Sequence, residues 1–176
     1  MRAGLLENLL LLYLLWICFN GNQTFKFKMT NLGCESFNKS WVVYTECRLR
    51  AISRNKTTMT AFVMVSEPAY NIFVRARVLR KANGYKPWII DYTIDACKFM
   101  RNRHHPFAKI IWKLIRDVST INHSCPYNGL NGLKDFYDVS TMPLILPSGE
   151  YLLNLTWIFD KKPQFVTNVY FSYWDD

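Results

Sequence analysis

One short stretch restricts this chain more than any other. Residues 104–118 read HHPFAKIIWKLIRDV, and Phe107, Ile110, Ile111, Leu114, Ile115 and Val118 recur at helical spacing. That places them along one helical face. Pro106 stands at the first helical position, where a missing N–H costs nothing, and His105 reads as the boundary residue before it. Cys97 precedes the helix and Cys125 follows it. Every other segment long enough to be regular alternates as a strand does. A single amphipathic helix must cover apolar surface supplied by something else, and here only sheets are available.

The strands announce themselves by period-two alternation. Residues 24–30 set Phe25 and Phe27 opposite Lys26 and Lys28, and residues 31–40 then read as a loop. Residues 41–53 place Trp41, Val43, Cys47, Leu49 and Ala51 on one face, with Tyr44, Glu46, Arg48 and Arg50 on the other. An apolar run follows at 59–65 and is broken at Glu67-Pro68. Residues 71–81 alternate Ile72, Val74, Ala76 and Val78 against Arg75 and Arg77. Asn83-Gly84 is a hairpin signal into 88–96, where Trp88, Ile90, Tyr92 and Ile94 share a face. After the helix, residues 128–147 are rich in Asn, Gly, Asp and Pro and read as the longest irregular segment. The clearest alternation runs over 150–160, with Tyr151, Leu153, Leu155, Trp157 and Phe159 inward and Asn154 and Thr156 outward. Phe165, Val169, Phe171 and Tyr173 close the chain in phase. About seven strands without a βαβ rhythm predict an immunoglobulin-like β-sandwich, mostly β, with one amphipathic helix.

Composition then decides the setting. The chain has 176 residues, half of them hydrophobic, which suffices for one folded domain with its own core. Residues 1–21 combine Arg2 with a short apolar run from Leu9 to Phe19, the pattern of a secretory signal, so the expected domain is 22–176. Without residues 1–21 four cysteines are left: Cys34, Cys47, Cys97 and Cys125. An even number in a secreted chain predicts two disulfides, in any of three pairings. Sequons at Asn22, Asn38, Asn55, Asn122 and Asn154 exceed what composition alone produces and agree with a secreted, extracellular glycoprotein.

Catalytic and metal chemistry finds no recognisable pattern. There is no G-x-S-x-G, no H-E-x-x-H and no glycine-rich phosphate loop. His104, His105 and His123 lack a carboxylate at triad or ligand spacing, and Asp91 with Asp95 form only a pair of acids on one strand face. The expectation is a non-enzymatic protein without cofactor or metal. The net charge of +9 gathers partly on polar strand faces and partly around the helix, at Lys98, Arg101, Arg103, Lys109, Lys113 and Arg116. Such a surface reads first as a solvated outer face, and as an attractor of anionic headgroups or an acidic partner in the alternative. Nucleic acid does not fit a glycosylated secreted chain.

A succession of motifs also resembles a known group. Asn83-Gly84-Tyr85-Lys86-Pro87, Asp95-x-Cys97-Lys98-Phe99, His105-Pro106 and Asn122-His123-Ser124-Cys125-Pro126-Tyr127 occur in that order. Cys47-Arg48-Leu49 with Ser53-Arg54, and Pro147-x-Gly149-x-Tyr151, belong to the same succession. Over roughly residues 25–172 the chain resembles a family of insect secreted proteins, a domain of unknown function related to the ML-type lipid-recognition domains. Chemosensory proteins of gustatory sensilla are among its members. The resemblance implies a sandwich that holds a lipid between two sheets. Within that frame the expected bridges are Cys34–Cys47, closing a short hairpin, and Cys97–Cys125, tying the strand before the helix to the segment after it.

The function expected is therefore a carrier of a lipid or other apolar ligand, with chemosensation as one setting. Its cavity would be lined by Ile90, Tyr92, Phe107, Ile111, Leu114, Tyr151, Leu153, Leu155, Trp157 and Phe159. The alternative is an extracellular interaction module with a filled core, whose basic face meets a receptor or another secreted protein.

Overall fold

A computed structural model describes residues 25–54, 56–137 and 146–175. The signal segment 1–21, the sequons at Asn22 and Asn55, and Met142-Pro143 lie outside these residues. In chain order the elements are β1 (Phe25–Ser36), β2 (Val42–Ser53), β3 (Lys56–Ala69), β4 (Ile72–Lys81), β5 (Tyr85–Asp95), α1 (Ala96–Asn102), α2 (Pro106–Ile115), β6 (Tyr127–Phe136), β7 (Gly149–Phe159) and β8 (Lys162–Asp175). The strands form two antiparallel sheets, one ordered β1-β8-β7-β4-β5 and the other β2-β3-β6. The architecture is the expected mostly-β sandwich.

Alternation explains the interior. In β7, Leu153 and Leu155 pair across β8 with Val169 and Thr167, and all four face the space between the sheets. The opposite phase carries Asn154 outward, beside Asn168 and Arg77. From the smaller sheet, Met59, Ala61, Val63 and Val65 of β3 face the same space. At one end Val78, Ile90, Leu146, Tyr151, Phe171 and Tyr173 make a filled cluster, with Tyr151 stacked on Phe171 at 5.5 Å.

Several expectations are corrected. The helical region is two helices, not one. The side chain of Asp95 accepts from the Lys98 N–H at 2.7 Å and starts α1, whose last turn closes at Arg103 with φ 48°. Only Cys97, Phe99 and Met100 of α1 are buried, too few to write a helical period over seven residues. In α2, His105 caps the N-terminus and Pro106 follows it, but the helix stops at Ile115, leaving Val118 beyond it. Residues 128–147 are not wholly irregular, because β6 pairs with β3 through Ala61–Leu133 and Val65–Gly129. Its turn-like composition is explained by Gly132: a Cβ there would lie 2.1 Å from the Ala61 carbonyl oxygen and 2.7 Å from the Phe62 Cα. Strand β1 continues through Gly33 and Cys34, read above as loop.

In β2 a bulge between Tyr44 and Glu46 shifts the phase. Val42 is fully buried, Val43 is exposed, and Tyr44 reaches across to β8 instead of facing away. Both expected disulfides are present. Cys34–Cys47 closes no hairpin, however. Strand β1 pairs with β8 and β2 with β3, so this bridge joins one sheet to the other.

Candidate ligand cavity between the sheets

Between the sheets, on the side covered by the helices, lies a cavity of about 240 Å³, partly open to solvent. The larger sheet contributes Ile72, Val74 and Ala76 from β4 and Ile94 from β5, besides β7 and β8. The smaller sheet contributes β3 and the Gly132–Leu133 segment of β6. Helix α2 supplies Phe107, Ala108, Ile111, Trp112 and Ile115, and none of its residues is buried. The helix is thus a cover laid over the gap and not a wall packed into it.

Of the residues expected to line this space, Phe107, Ile111, Leu153, Leu155, Trp157 and Phe159 do so. Ile90 and Tyr151 lie instead in the filled cluster, where the Tyr151 hydroxyl donates to the Pro147 carbonyl. Tyr92 is about half exposed and faces the rings of His105 and Phe107 at 6.0 and 6.1 Å. Leu114 is half-buried away from the lumen, because the helix turns Trp112 and Ile115 inward. Trp112, Phe165 and the β3 side chains belong to the lining and were not singled out by the sequence. The signal for β3 was present as the apolar run 59–65. For Trp112 none was available, since helix rotation about its axis is set by docking.

The polar groups in the wall are mostly already satisfied. The Tyr44 hydroxyl donates to the Val166 carbonyl at 3.0 Å and lies 2.7 Å from the Thr167 hydroxyl. Burial pushes its pKa up to about 12, partly offset by the Thr167 hydrogen bond. Asn131 donates to the carbonyls of Asn128 and Gly129, both at 3.0 Å. The Tyr127 hydroxyl donates to the His123 carbonyl, and burial raises its pKa as well. The indole N–H groups of Trp112 and Trp157 are buried without a partner. Trp157 lies flat against Phe165, with ring centroids 5.3 Å apart and planes 8° apart. What the lumen offers a guest is therefore almost entirely carbon.

Outside the cavity, Asp91, Asp95 and His123 each have a structural partner. Arg75 grips Asp91 through two hydrogen bonds of 2.8 Å, which hold the Asp91 carboxyl below the usual carboxylate range. Asp95 caps α1. His123 stacks on Tyr127 at 4.3 Å. Among the described residues no group of three His, Cys, Asp or Glu side chains is placed to hold a metal ion. No helix among them is long and apolar enough to cross a membrane. Of the sequon asparagines, Asn38 and Asn154 donate their amides to Gln164 and Asn168 at 3.0 and 2.7 Å, while Asn122 is exposed.

Comparison with known proteins adds a narrow finding. Residues 74–153 match a family model described as a protein of unknown function, DUF1091. The matched segment runs from β4 into β7 and so includes both helices, β6 and the Cys97–Cys125 bridge. No curated protein matches the chain.

Proposed function

We propose that this protein is a secreted, non-enzymatic carrier that holds one apolar molecule between its two sheets. The observation that carries this reading is the cavity: about 240 Å³, bounded by both sheets and by a helix whose residues are at most half-buried, with a wall of carbon. A guest entering it leaves water and gains roughly 25 cal/mol per Å² of apolar area buried. A polar guest would lose its hydration and find few partners. The two disulfides fit an oxidising, extracellular setting. The motif succession resembling ML-type lipid-recognition domains supports the same reading and brings chemosensory transport in as one role. An interaction module has the basic face in its favour but leaves the cavity without a use.

The direct test is uptake of N-phenyl-1-naphthylamine, a dye that fluoresces on leaving water, by the secreted protein. The expected result is saturable binding of one dye per chain, with apolar compounds recovered by mass spectrometry from organic extracts of natively purified protein. No uptake and clean extracts would remove the carrier reading.

A further inference from the structure

The lumen lacks polar partners, yet its cover is strongly basic. Between Asp95 and Asp117 there are six lysines and arginines and no acid. Lys109, Lys113 and Arg116 recur at i, i+4 and i+7, so they stand along one side of α2 and the turn after it. Trp112 lies beside that row and also lines the cavity. The Arg103 guanidinium sits over the Trp112 ring, 3.9 Å from its centroid, and the Arg116 guanidinium is 5.6 Å from the same ring. Arg103 is turned into place by the left-handed backbone that ends α1. Among the described residues it has no carboxylate partner. Arg116 has only the neighbouring Asp117 at 3.4 Å, with both side chains at least half exposed. One indole thus separates an apolar lumen from two guanidinium groups.

We propose that Arg103 and Arg116, stacked against Trp112, form a headgroup site for a single-chain anionic amphiphile whose chain lies in the cavity. This rests on the carrier reading and specifies its ligand. A guanidinium presents paired N–H donors matched to a carboxylate or a phosphate, and stacking on an indole leaves those edges free. The chain must be single because about 240 Å³ is below the usual range of roughly 300–1,000 Å³ for small-molecule pockets. The head must stay outside because no wall group is free to receive it except two buried indole N–H groups.

The test is displacement of N-phenyl-1-naphthylamine from the full chain by dodecanoate, dodecyl phosphate and methyl dodecanoate, below their aggregation concentrations. The three share a chain and differ in the head. The native protein is expected to bind at least one anion about tenfold tighter than the ester, a gap that narrows as salt screens the exposed charges. Whichever anion binds better identifies the head as carboxylate or phosphate. Replacing both arginines, Arg103→Gln with Arg116→Gln, is expected to abolish the preference and leave ester affinity unchanged. Equal binding of ester and anions by the native protein would overturn the headgroup site while leaving the carrier intact. A double variant that loses ester and anions alike would also overturn it, since the arginines would then only hold Trp112 in place. Failure of the dye itself to bind would remove both readings.

Discussion

The two edges of the sandwich are each tied by a disulfide and are otherwise built differently. At the β1/β2 edge the sheets touch. Cys34–Cys47 crosses between them, and Tyr44 of β2 hydrogen-bonds Val166 and Thr167 of β8. Thr57 of β3 donates to the Met29 carbonyl of β1 at 2.9 Å. At the β5/β6 edge the chain crosses from one sheet to the other through α1 and α2, and Cys97–Cys125 clips that crossing at its base. After α2 the chain runs along β6, with Thr120 donating to the Gly132 carbonyl and Lys134 to the Val118 carbonyl, both at 2.9 Å. A helix is about 10 Å across, as thick as the whole layer between packed sheets. It cannot sink into that layer, so it covers the edge and leaves a gap beneath. Two covalently closed edges thus give one sealed side and one lidded side.

The strongest way to break this contrast is to cut side chains from each region. Phe171, 6% exposed between Tyr151 and Phe27, should cost about 3–5 kcal/mol as Phe171→Ala, read by urea denaturation. Trp157→Ala removes a larger side chain but opens onto existing space, so a cost below the usual range of about 3–5 kcal/mol is expected, together with altered dye binding. Equal costs would mean that the two regions are packed alike.

Opening the bridges separates the edges next. Cys97 and Cys125 are 28 residues apart, and converting both to Ala should cost about 3–4 kcal/mol by the chain-entropy estimate. The Cys34–Cys47 pair, 13 apart, should cost about 3 kcal/mol. Limited proteolysis distinguishes them further: cleavage within residues 103–118 is expected only when the first pair is removed.

Tyr44 tests the sealed edge through pH. Burial favours its neutral form in the folded protein, so its contribution is intact below pH 10 and declines as pH rises towards 12. Alkaline denaturation followed at constant urea should show that decline, and Tyr44→Phe should lessen it while costing about 1 kcal/mol at pH 7 for the lost hydrogen bonds. The smallest effect belongs to the lid. Ile111→Ala, at a residue that is not buried, should cost under about 1 kcal/mol yet change dye affinity several-fold. A large stability loss with unchanged dye binding would make α2 a structural wall.

Much of this architecture was written in local pattern. Period-two alternation placed the inward faces of β4, β7 and β8, because a strand's side chains alternate whatever it pairs with. Pro106 and the apolar stripe marked α2, while the pairing of the cysteines came with the resemblance and not with local pattern. What local pattern could not carry was anything decided by a neighbour. The bulge in β2 exchanged the roles of Val43 and Tyr44, since an extra residue between paired strands resets the alternation. Gly132 made β6 look like a loop because Phe62 and the Ala61 carbonyl occupy the space its side chain would need. Ile90 and Tyr151 have the same alternation as Leu155 and Trp157, yet one pair is packed solid and the other borders a cavity. Alternation says which way a side chain points. Whether another side chain meets it there depends on how the two sheets and the helices over their edge come together, which only the tertiary structure decides.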